Sequence, residues 1–242
     1  MKAELLGFDI DAISFDEAII KALSLIENNV VSQVVTINPE IIESAIKSGS
    51  QSDLYQAIKN AELVIPDGVG IQIALRLNGV NTERIPGIDF AKKLLALASK
   101  NSIPVAIIGS KEEVINKAID NLKAEFKELN IVYSHNGYFN DDTEIYDALK
   151  AAKPGIILVA TGSPKQELFI YNAKNILDNG LMIGIGGSLD VWSGMVKRAP
   201  KIYQTIGMEW FYRTITQPER FKRIFPTLPL FILKAIKHKY LK

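Results

Sequence analysis

Short, almost continuously apolar runs alternate with longer amphipathic stretches along most of this sequence. The runs are rich in Val and Ile, end in Gly, Ser, Asn or Asp, and occupy residues 32–38, 62–67, 104–110, 130–134, 155–163 and 180–188. Buried strands of a parallel sheet have this composition, and the stretches between them are long enough to be helices. The sequence therefore predicts an α/β fold, a Rossmann-like, mostly parallel sheet with helices on both faces. Residues 5–14 add a further strand or an edge hairpin.

A different pattern begins near residue 195, where the chain becomes basic and aromatic. Residues 195–242 contain 11 Lys and Arg against 2 Asp and Glu, whereas residues 1–194 contain 17 against 25. Proline interrupts helices, so we predict helices that stop at Pro200, Pro218, Pro226 and Pro229. We therefore predict two domains, an α/β body at 1–194 and a basic helical C-terminal appendage at 195–242. Such a tail is typical of proteins with an anionic partner, such as a membrane, phosphates or nucleic acid.

Composition narrows the class of protein. The 242 residues include no cysteine, which excludes a disulfide framework, a thiolate metal site and a cysteine nucleophile. The N-terminal residues include acids and lack the apolar run of a signal peptide. The longest nearly apolar run, residues 225–233, is far shorter than the roughly 20 residues that span a bilayer. We expect a cytoplasmic protein that is soluble or peripheral on the inner face of the cell membrane.

Small and polar residues follow most of the predicted strands. In an open parallel sheet, ligands bind beyond the carboxyl ends of the strands, where short side chains let phosphates approach backbone N–H groups. The candidate binding residues at these ends are Thr36, Asn38, Gly109, Ser110, Gly186 and Gly187. Helix capping is the alternative for two serines, because Ser110 precedes Glu113, and Ser163 precedes Gln166, at capping-box spacing. The glycine fingerprints of dinucleotide-binding folds and P-loops are absent from the sequence.

An aspartate interrupts an otherwise buried segment. Asp67 lies between an apolar run that ends at Pro66 and a helical pattern that begins at Ile71, with Gly68 and Gly70 between them. A helix N-cap is a common role for an aspartate in this position. The position also lies at the expected ligand crevice, where a partly desolvated carboxylate can accept a proton from a substrate hydroxyl. Both interpretations stay open, and Asp67 is the candidate catalytic base.

Metal-binding patterns are weak in this chain. Asp9-Ile10-Asp11 matches the D-x-D of metal-dependent sugar transferases, but it lies near the N-terminus rather than at the end of a mid-chain strand. His135 and His238 are far apart in the sequence and have no metal-ligand spacing. We therefore predict no metal ligands and no cofactor.

Several motifs, in order along the chain, resemble one known family. They are TINPEII, IPDGVGI, RIPGIDF, GYF, TGSPKQE, IGGSLDVWSGMVKRAP and GMEWFYRTITQPERFKR, and they extend over nearly the whole chain. The sequence is similar to the WecG/TagA/CpsF glycosyltransferase family (glycosyltransferase family 26), most of all to its TagA-like N-acetylmannosaminyltransferases. The resemblance implies an inverting, metal-independent enzyme that transfers N-acetylmannosamine from its UDP donor to undecaprenyl-diphosphate-linked N-acetylglucosamine. This is an early step of wall teichoic acid synthesis.

The resemblance also implies roles for individual residues. Asp67 of the PDG motif would be the catalytic base. The residues that would line the substrate pocket are Thr36, Asn38, Arg84 and Gln166. Those that would lie against the nucleotide are Gly186, Gly187 and Asp190. Guanidinium groups pair with phosphate oxygens, and the appendage would supply the diphosphate with Arg213, Arg220 and Arg223.

The end of the appendage has an amphipathic pattern. From residue 230 on, four apolar or aromatic side chains fall near one helix face, Ile232, Leu233, Ile236 and Tyr240, and basic ones fall near the other. This pattern predicts a helix that lies on an anionic membrane and completes the active site once it docks. An ordinary surface helix packed on the core is the alternative. Nucleic acid is not an expected partner, and the residues leave open whether the chain forms homo-oligomers.

The sequence has three alternative functional interpretations. A related transferase could use another UDP-sugar, such as the UDP-linked uronic acid of N-acetylmannosamine, for a different surface polysaccharide. A nucleotide-binding oxidoreductase would bind NAD(P)H rather than UDP. A non-enzymatic, membrane-docked scaffold would bind no UDP, and this interpretation does not explain the polar residues at the strand ends.

Overall fold

A six-stranded sheet, parallel throughout, forms the centre of the molecule. The computed structural model describes residues 1–216 and 218–240, except for the side chains at 213, 214, 216, 218–226 and 240. Strands β1 (Lys2–Leu5) and β2 (Phe8–Asp11) form an antiparallel hairpin. The sheet itself contains β3 (Val31–Ile37), β4 (Leu63–Pro66), β5 (Val105–Gly109), β6 (Ile131–His135), β7 (Ile156–Ala160) and β8 (Gly180–Gly184). Its order, β4-β3-β8-β7-β5-β6, uses each predicted apolar run once, so the predicted parallel sheet is confirmed.

Helices connect the strands and continue after the last of them. The first five are α1 (Phe15–Glu27), α2 (Pro39–Ser48), α3 (Asp53–Lys59), α4 (Val69–Leu77) and α5 (Gly87–Lys100). The later ones are α6 (Glu112–Glu125), α7 (Asp142–Ala152), α8 (Lys165–Ala173), α9 (Ser188–Trp192), α10 (Lys201–Thr205), α11 (Glu209–Thr216) and α12 (Pro218–Tyr240).

The alternation of side chains along each strand supplies two cores. On one face, residues such as Val34, Ile107 and Ile183 pack with α1, α5, α6 and α9. On the other face, residues such as Val35 and Val159 pack with α2, α3, α4 and α12 near one end of the sheet and with α7 and α8 near the other. Strands β3, β4, β5, β7 and β8 are therefore buried on both sides, which explains why they are almost continuously apolar. The edge strand β6 is only partly buried and includes polar residues.

The N-terminal hairpin covers the edge of the sheet beside β4. Its two-residue turn uses positive φ at Leu6 and Gly7, and a Cβ on Gly7 would lie 2.7 Å from the hydroxyl oxygen of Tyr55. Asp11, at the end of the hairpin, accepts a hydrogen bond from the backbone N–H of Val64 in β4 at 2.9 Å. Of the two sequence-based alternatives for residues 5–14, the edge hairpin is the one observed.

The C-terminal segment differs from its prediction in one respect. Helix α12 continues through Pro226 and Pro229 rather than stopping at them. Each proline removes one backbone hydrogen bond, but the helix packs against α2 and α4 and buries Phe231 and Ala235 completely, which offsets that loss. Pro200 and Pro218 do stand at helix starts, before α10 and at the first residue of α12. Within the described residues, no helix is long and apolar enough to cross a membrane.

Candidate active site

A cavity of about 860 Å³ opens at the carboxyl edge of the sheet, near the ends of β3, β4 and β8. Strands β3 and β8 are neighbours, but the chain leaves them toward opposite faces, because α2 packs in one core and α9 in the other. Ligands of open α/β sheets bind where connections diverge in this way. The sequence-predicted residues that line the cavity are Thr36, Asn38, Asp67, Arg84, Gln166, Gly186 and Gly187.

Asp67 lies just after β4, and its carboxylate is directed toward α5 across the site rather than toward α4, the helix that follows it in the chain. The N-cap of the following helix, α4, is Gly68, and α4 has no side-chain cap, so the capping interpretation of Asp67 is wrong. Its Oδ2 instead accepts a hydrogen bond at 3.1 Å from the backbone N–H of Gly87, the first residue of α5. Gly87 is required by this approach, because a Cβ there would lie 2.9 Å from Thr36 and 3.3 Å from that same oxygen.

The surroundings of Asp67 favour its protonated form more than water would. Burial raises the pKa of Asp67 to about 6, although the Gly87 N–H and the Arg84 guanidinium act in the opposite direction. The carboxylate of Glu209, at the start of α11, acts in the same direction as burial and contributes to that net pKa. A carboxylate with this pKa is ionised near neutral pH and still holds a proton well enough to act as a general base. Asp67 is therefore suited to removing a proton from a hydroxyl that enters the cavity.

Residues at the end of β3 shape the wall beside Asp67. The buried Thr36 hydroxyl donates to the Gly184 carbonyl of β8 at 3.3 Å and closes the gap between the two strands. Asn38 is the N-cap of α2, and its side-chain oxygen accepts the Ile41 N–H at 3.0 Å. Both side chains thus have structural partners and also face the cavity.

Gln166 spans the floor of the cavity from α8 to the end of β8. Its Oε1 accepts the backbone N–H of Gly186 at 3.0 Å, and its Nε2 donates to Glu167 Oε1 at 2.8 Å. Gly184 makes room for this crossing, since a Cβ there would lie 2.5 Å from the Gln166 amide nitrogen. The capping box proposed for Ser163 and Gln166 is therefore wrong: α8 begins after Pro164 without a side-chain cap, and the amide is used elsewhere.

Three predicted binding residues do not line the cavity. Gly109 and Ser110 lie at the end of β5, and Asp190 lies in the first turn of α9, beyond the cavity-lining Gly187. The capping box predicted for Ser110 is also wrong, because the N-cap of α6 is Lys111 and no side chain caps that helix. The side chains of Arg213, Arg220 and Arg223 lie outside the described residues.

The D-x-D motif has a structural role in the part of the chain described. The buried Asp11 accepts hydrogen bonds from Lys21 Nζ at 2.8 Å and from the Val64 N–H, while Asp9 points to solvent on the other side of the hairpin. Among the described residues, no group of three or more His, Asp or Glu side chains could hold a metal ion.

Several cavity residues were missed by sequence analysis. Glu209 and Trp210 come from the start of α11, Glu43 from α2 and Lys234 from α12, and the last two form an ion pair. Glu209 carried a usable signal, because it is one of two acidic residues in an otherwise basic segment. The others lie on helices whose approach to the cavity depends on tertiary packing, which no local pattern records.

The chain is similar to known glycosyltransferases over most of its length. The family described as "Glycosyl transferase WecG/TagA/CpsF family" matches residues 3–242 of the chain. An "N-acetylglucosaminyldiphosphoundecaprenol N-acetyl-beta-D-mannosaminyltransferase" of Bacillus subtilis (strain 168) is 36% identical over 217 residues, which is 88% of this chain and 84% of the relative. A protein of the same name from Bacillus spizizenii (strain ATCC 23059 / NRRL B-14472 / W23) is 33% identical over 216 residues, 88% of this chain and 82% of the relative. The match covers the strand ends, the cavity and the C-terminal helices alike, so this chain belongs to the WecG/TagA/CpsF family of glycosyltransferases.

Proposed function

We propose that the protein transfers N-acetylmannosamine from UDP-N-acetylmannosamine to undecaprenyl-diphosphate-linked N-acetylglucosamine, an early step of wall teichoic acid synthesis. The names of two relatives state an N-acetylmannosaminyl transfer to this lipid-linked acceptor. The observation that supports it most strongly is Asp67, a carboxylate with a pKa of about 6 in a cavity of about 860 Å³. A cavity of this volume is large enough for a sugar nucleotide together with part of an acceptor.

The proposed reaction is a direct displacement at the anomeric carbon. Asp67 takes the proton of the acceptor hydroxyl while the hydroxyl oxygen forms its bond to that carbon. The bond from the anomeric carbon to the UDP oxygen breaks, its electron pair leaves with UDP, and the configuration inverts. Partial burial of Asp67 supports this role, because a more basic carboxylate takes up the proton more completely as the new bond forms.

The leaving diphosphate needs positive charge in this scheme. Arg84 lines the cavity and is held by a hydrogen bond from its Nη2 to the Gln204 carbonyl at 2.9 Å. Arginine suits a diphosphate because its planar group pairs with phosphate oxygens and keeps its charge. We propose that Arg213, Arg220 and Arg223 of the appendage add to this charge when the segment 195–242 is in place. Turnover is then expected to continue in the presence of EDTA.

Two exposed leucines support a membrane-facing role for α12. Leu230 and Leu233 are 54% and 62% exposed, and Lys237 is exposed beside them. The face predicted for membrane contact differs in part, since Phe231 and Ala235 are the residues buried against the body and Ile232 is half-buried. Exposed apolar side chains next to lysines bind anionic bilayers, so we propose that this outer side of α12 holds the enzyme at the inner face of the cell membrane.

The substrates are tested by turnover with a panel of UDP-sugars and a short-chain lipid-diphosphate-N-acetylglucosamine, with and without EDTA. We expect UDP-N-acetylmannosamine to be the preferred donor and UDP to be released in equal amount to the product. Preference for the UDP-linked uronic acid would indicate that the enzyme serves the synthesis of a different surface polysaccharide. Thermal stabilisation by NAD(P)H but not by UDP would contradict the proposal, as would the absence of any UDP binding.

The membrane role is tested by co-sedimentation with anionic vesicles over a range of salt concentrations. We expect Leu230→Ser/Leu233→Ser to weaken vesicle binding while turnover on a soluble acceptor is retained, because neither leucine lines the cavity. Ile20→Ser is the matched control, since Ile20 is 66% exposed on α1. Unchanged sedimentation of the double variant would contradict the membrane role of α12.

A further inference from the structure

One arginine of the C-terminal segment binds helix α5 close to the catalytic centre. Arg198 lies between α9 and α10, and its guanidinium binds Asp89 of α5 through two hydrogen bonds, Nη1 to Oδ1 at 2.6 Å and Nη2 to Oδ2 at 2.7 Å. The Nε of the same group donates to Glu209 Oε1 of α11 at 3.3 Å. One planar group thus joins the body and the C-terminal segment, a geometry that the point charge of lysine cannot reproduce.

Each partner of Arg198 has a link to the candidate base. Asp89 is in the first turn of α5, two residues after the Gly87 N–H that donates to Asp67. Glu209 lines the cavity, and its charge interacts directly with that of Asp67. Hydrogen bonds and helix α5 therefore connect Asp67 to Arg198 and Arg198 to Glu209, and the charge of Glu209 acts on Asp67 across the cavity.

Neighbouring contacts fix the same segment from its other side. Arg84 Nη2 donates to the Gln204 carbonyl of α10 at 2.9 Å. Gly207, between α10 and α11, has a φ of +73° and lies against α4, where a Cβ would be 3.2 Å from the Cβ of Val69. The start of α11 is thus held at the rim of the cavity by backbone contacts, and Arg198 determines where its first side chain, Glu209, is placed.

We propose that Arg198 is a positioning residue of the acid–base centre: it ties the first turn of α5 to Glu209 and so holds the Glu209 carboxylate opposite Asp67. The consequence is that the affinity of Asp67 for a proton depends on the placement of the C-terminal segment. A chain in which α11 is displaced has a weaker base and turns over more slowly. This inference deepens the proposed function and depends on it for its catalytic meaning.

Other charges around the cavity must be considered with it. Besides Asp67 and Glu209, five charged side chains among those described line the cavity: Arg84 before α5, Glu40, Glu43 and Lys47 on α2, and Lys234 on α12. Lys234 is paired with Glu43, and Arg84 is the cation that lowers the pKa of Asp67. Glu209 is the carboxylate that raises it, so its replacement tests the proposal directly.

The experiment compares the titration of Asp67 in the wild type, Glu209→Gln, Arg198→Lys and the double variant. Carboxyl ¹³C NMR without substrate gives the midpoint, with Asp67→Asn used to assign the signal. We expect Glu209→Gln to lower the midpoint by roughly half a pH unit or more, because it removes a nearby negative charge and keeps the side-chain shape. We expect Arg198→Lys to lower it as well, and the double variant to match Glu209→Gln alone, because Arg198 acts through Glu209.

Kinetics and controls complete the test. The acid limb of kcat/KM should move to lower pH in the same variants. If Arg198→Lys folds poorly, Asp89→Asn replaces it and should lower the midpoint in the same way. Lys92→Gln is the control, since Lys92 is on α5 but pairs with Glu125 at 2.8 Å away from the cavity. An unchanged midpoint in Glu209→Gln, or additive shifts in the double variant, would overturn the proposal. The NMR titration needs no turnover, so it separates this outcome from failure of the proposed function.

Discussion

Two regions along the carboxyl edge of the sheet have similar small and polar residues, but one is an open cavity and the other is filled. At the ends of β3, β4 and β8, small and polar residues border an open cavity. At the end of β5, a Cβ on Gly109 would lie 2.4 Å from the carbonyl carbon of Ala160, and the Ser110 N–H donates to the Ala160 oxygen at 3.2 Å. The Gly137 N–H donates in turn to the Ser110 oxygen at 2.8 Å. Backbone from the neighbouring strand and loop thus fills this second end.

This comparison shows that a glycine after a strand has two distinct uses. Gly186 lies in the cavity wall, and no atom of the described residues lies within 4 Å of where its Cβ would be, so it leaves space that a ligand can enter. Gly109 leaves space that another segment of the same chain already occupies. Substitutions at the cavity end are therefore expected to change catalysis, whereas substitutions at the β5 end are expected to change stability.

The largest expected effect is on turnover by Asp67→Asn. We expect a loss of roughly 10²–10⁴ in kcat with folding and UDP binding kept, because the amide retains the shape but cannot accept the proton. The matched control is Asp11→Asn, which alters a more deeply buried aspartate bound to Lys21 and Val64. That variant should lose stability and keep the turnover of its folded fraction. Near-normal turnover by Asp67→Asn would show that Asp67, like Asp11, is not the catalytic base.

Gly109→Ala tests the closed end of the sheet edge. We expect its free energy of unfolding to fall by about 3 kcal/mol, because the new methyl group meets the backbone of Ala160 and the φ of +129° is unfavourable for alanine. Denaturant unfolding measures this change. Kinetics on the remaining folded protein should give an unaltered KM for the donor. A variant of full stability with weakened donor binding would place the ligand at this end.

The stability of Asp67→Asn should depend on pH. The pKa of Asp67 is about 6 in the folded protein and near its ordinary value of 3.8 in the unfolded chain, so ionisation opposes folding. This penalty is absent well below pH 4, develops as the pH rises toward 6, and is constant above it. We expect the variant to be more stable than the wild type by up to about 3 kcal/mol at neutral pH, with no difference in acid. Thermal unfolding over this pH range measures it, and a variant that is less stable at neutral pH would contradict the assigned environment.

The smallest expected effect is that of Ser110→Ala. At this position the backbone makes the contacts with Ala160 and Gly137, and the side chain does not line the cavity. We therefore expect at most about a twofold change in kcat/KM, within the range of ordinary surface substitutions. Thr36→Val, at the open end, removes a buried hydroxyl and should lower turnover more. A larger effect at Ser110 than at Thr36 would extend the ligand site toward β5.

Much of the fold could be predicted from the sequence, because local patterns decide it. The apolar runs and the helical periods between them specify the six strands of the sheet and the helices that connect them. Strand order is set by packing between distant segments, so the sequence did not distinguish the open end of the sheet from the closed one. For the same reason, Pro226 and Pro229 looked like helix breaks, whereas burial of Phe231 holds α12 together through them.

The site was predicted in part for equally physical reasons. Asp67 was identified because it follows an apolar strand at the expected ligand crevice, but its partner, the Gly87 N–H, comes from another helix. Two residue pairs had the spacing of capping boxes, Ser110 with Glu113 and Ser163 with Gln166, but neither box forms in the folded protein. Glu209 and Arg198 act through contacts between segments, and no spacing in the sequence relates them to Asp67.

The central claim, that Asp67 accepts the proton of the acceptor hydroxyl in the open cavity, is tested most directly by the pH dependence of kcat/KM in the wild type. This quantity reports the ionisation of essential groups in the free enzyme. We predict an acid limb with an apparent pKa of about 6, which matches the pKa of Asp67 and is missing from the residual activity of Asp67→Asn. A wild-type profile that stays flat through this range, or an acid limb that persists in the variant, would contradict the claim.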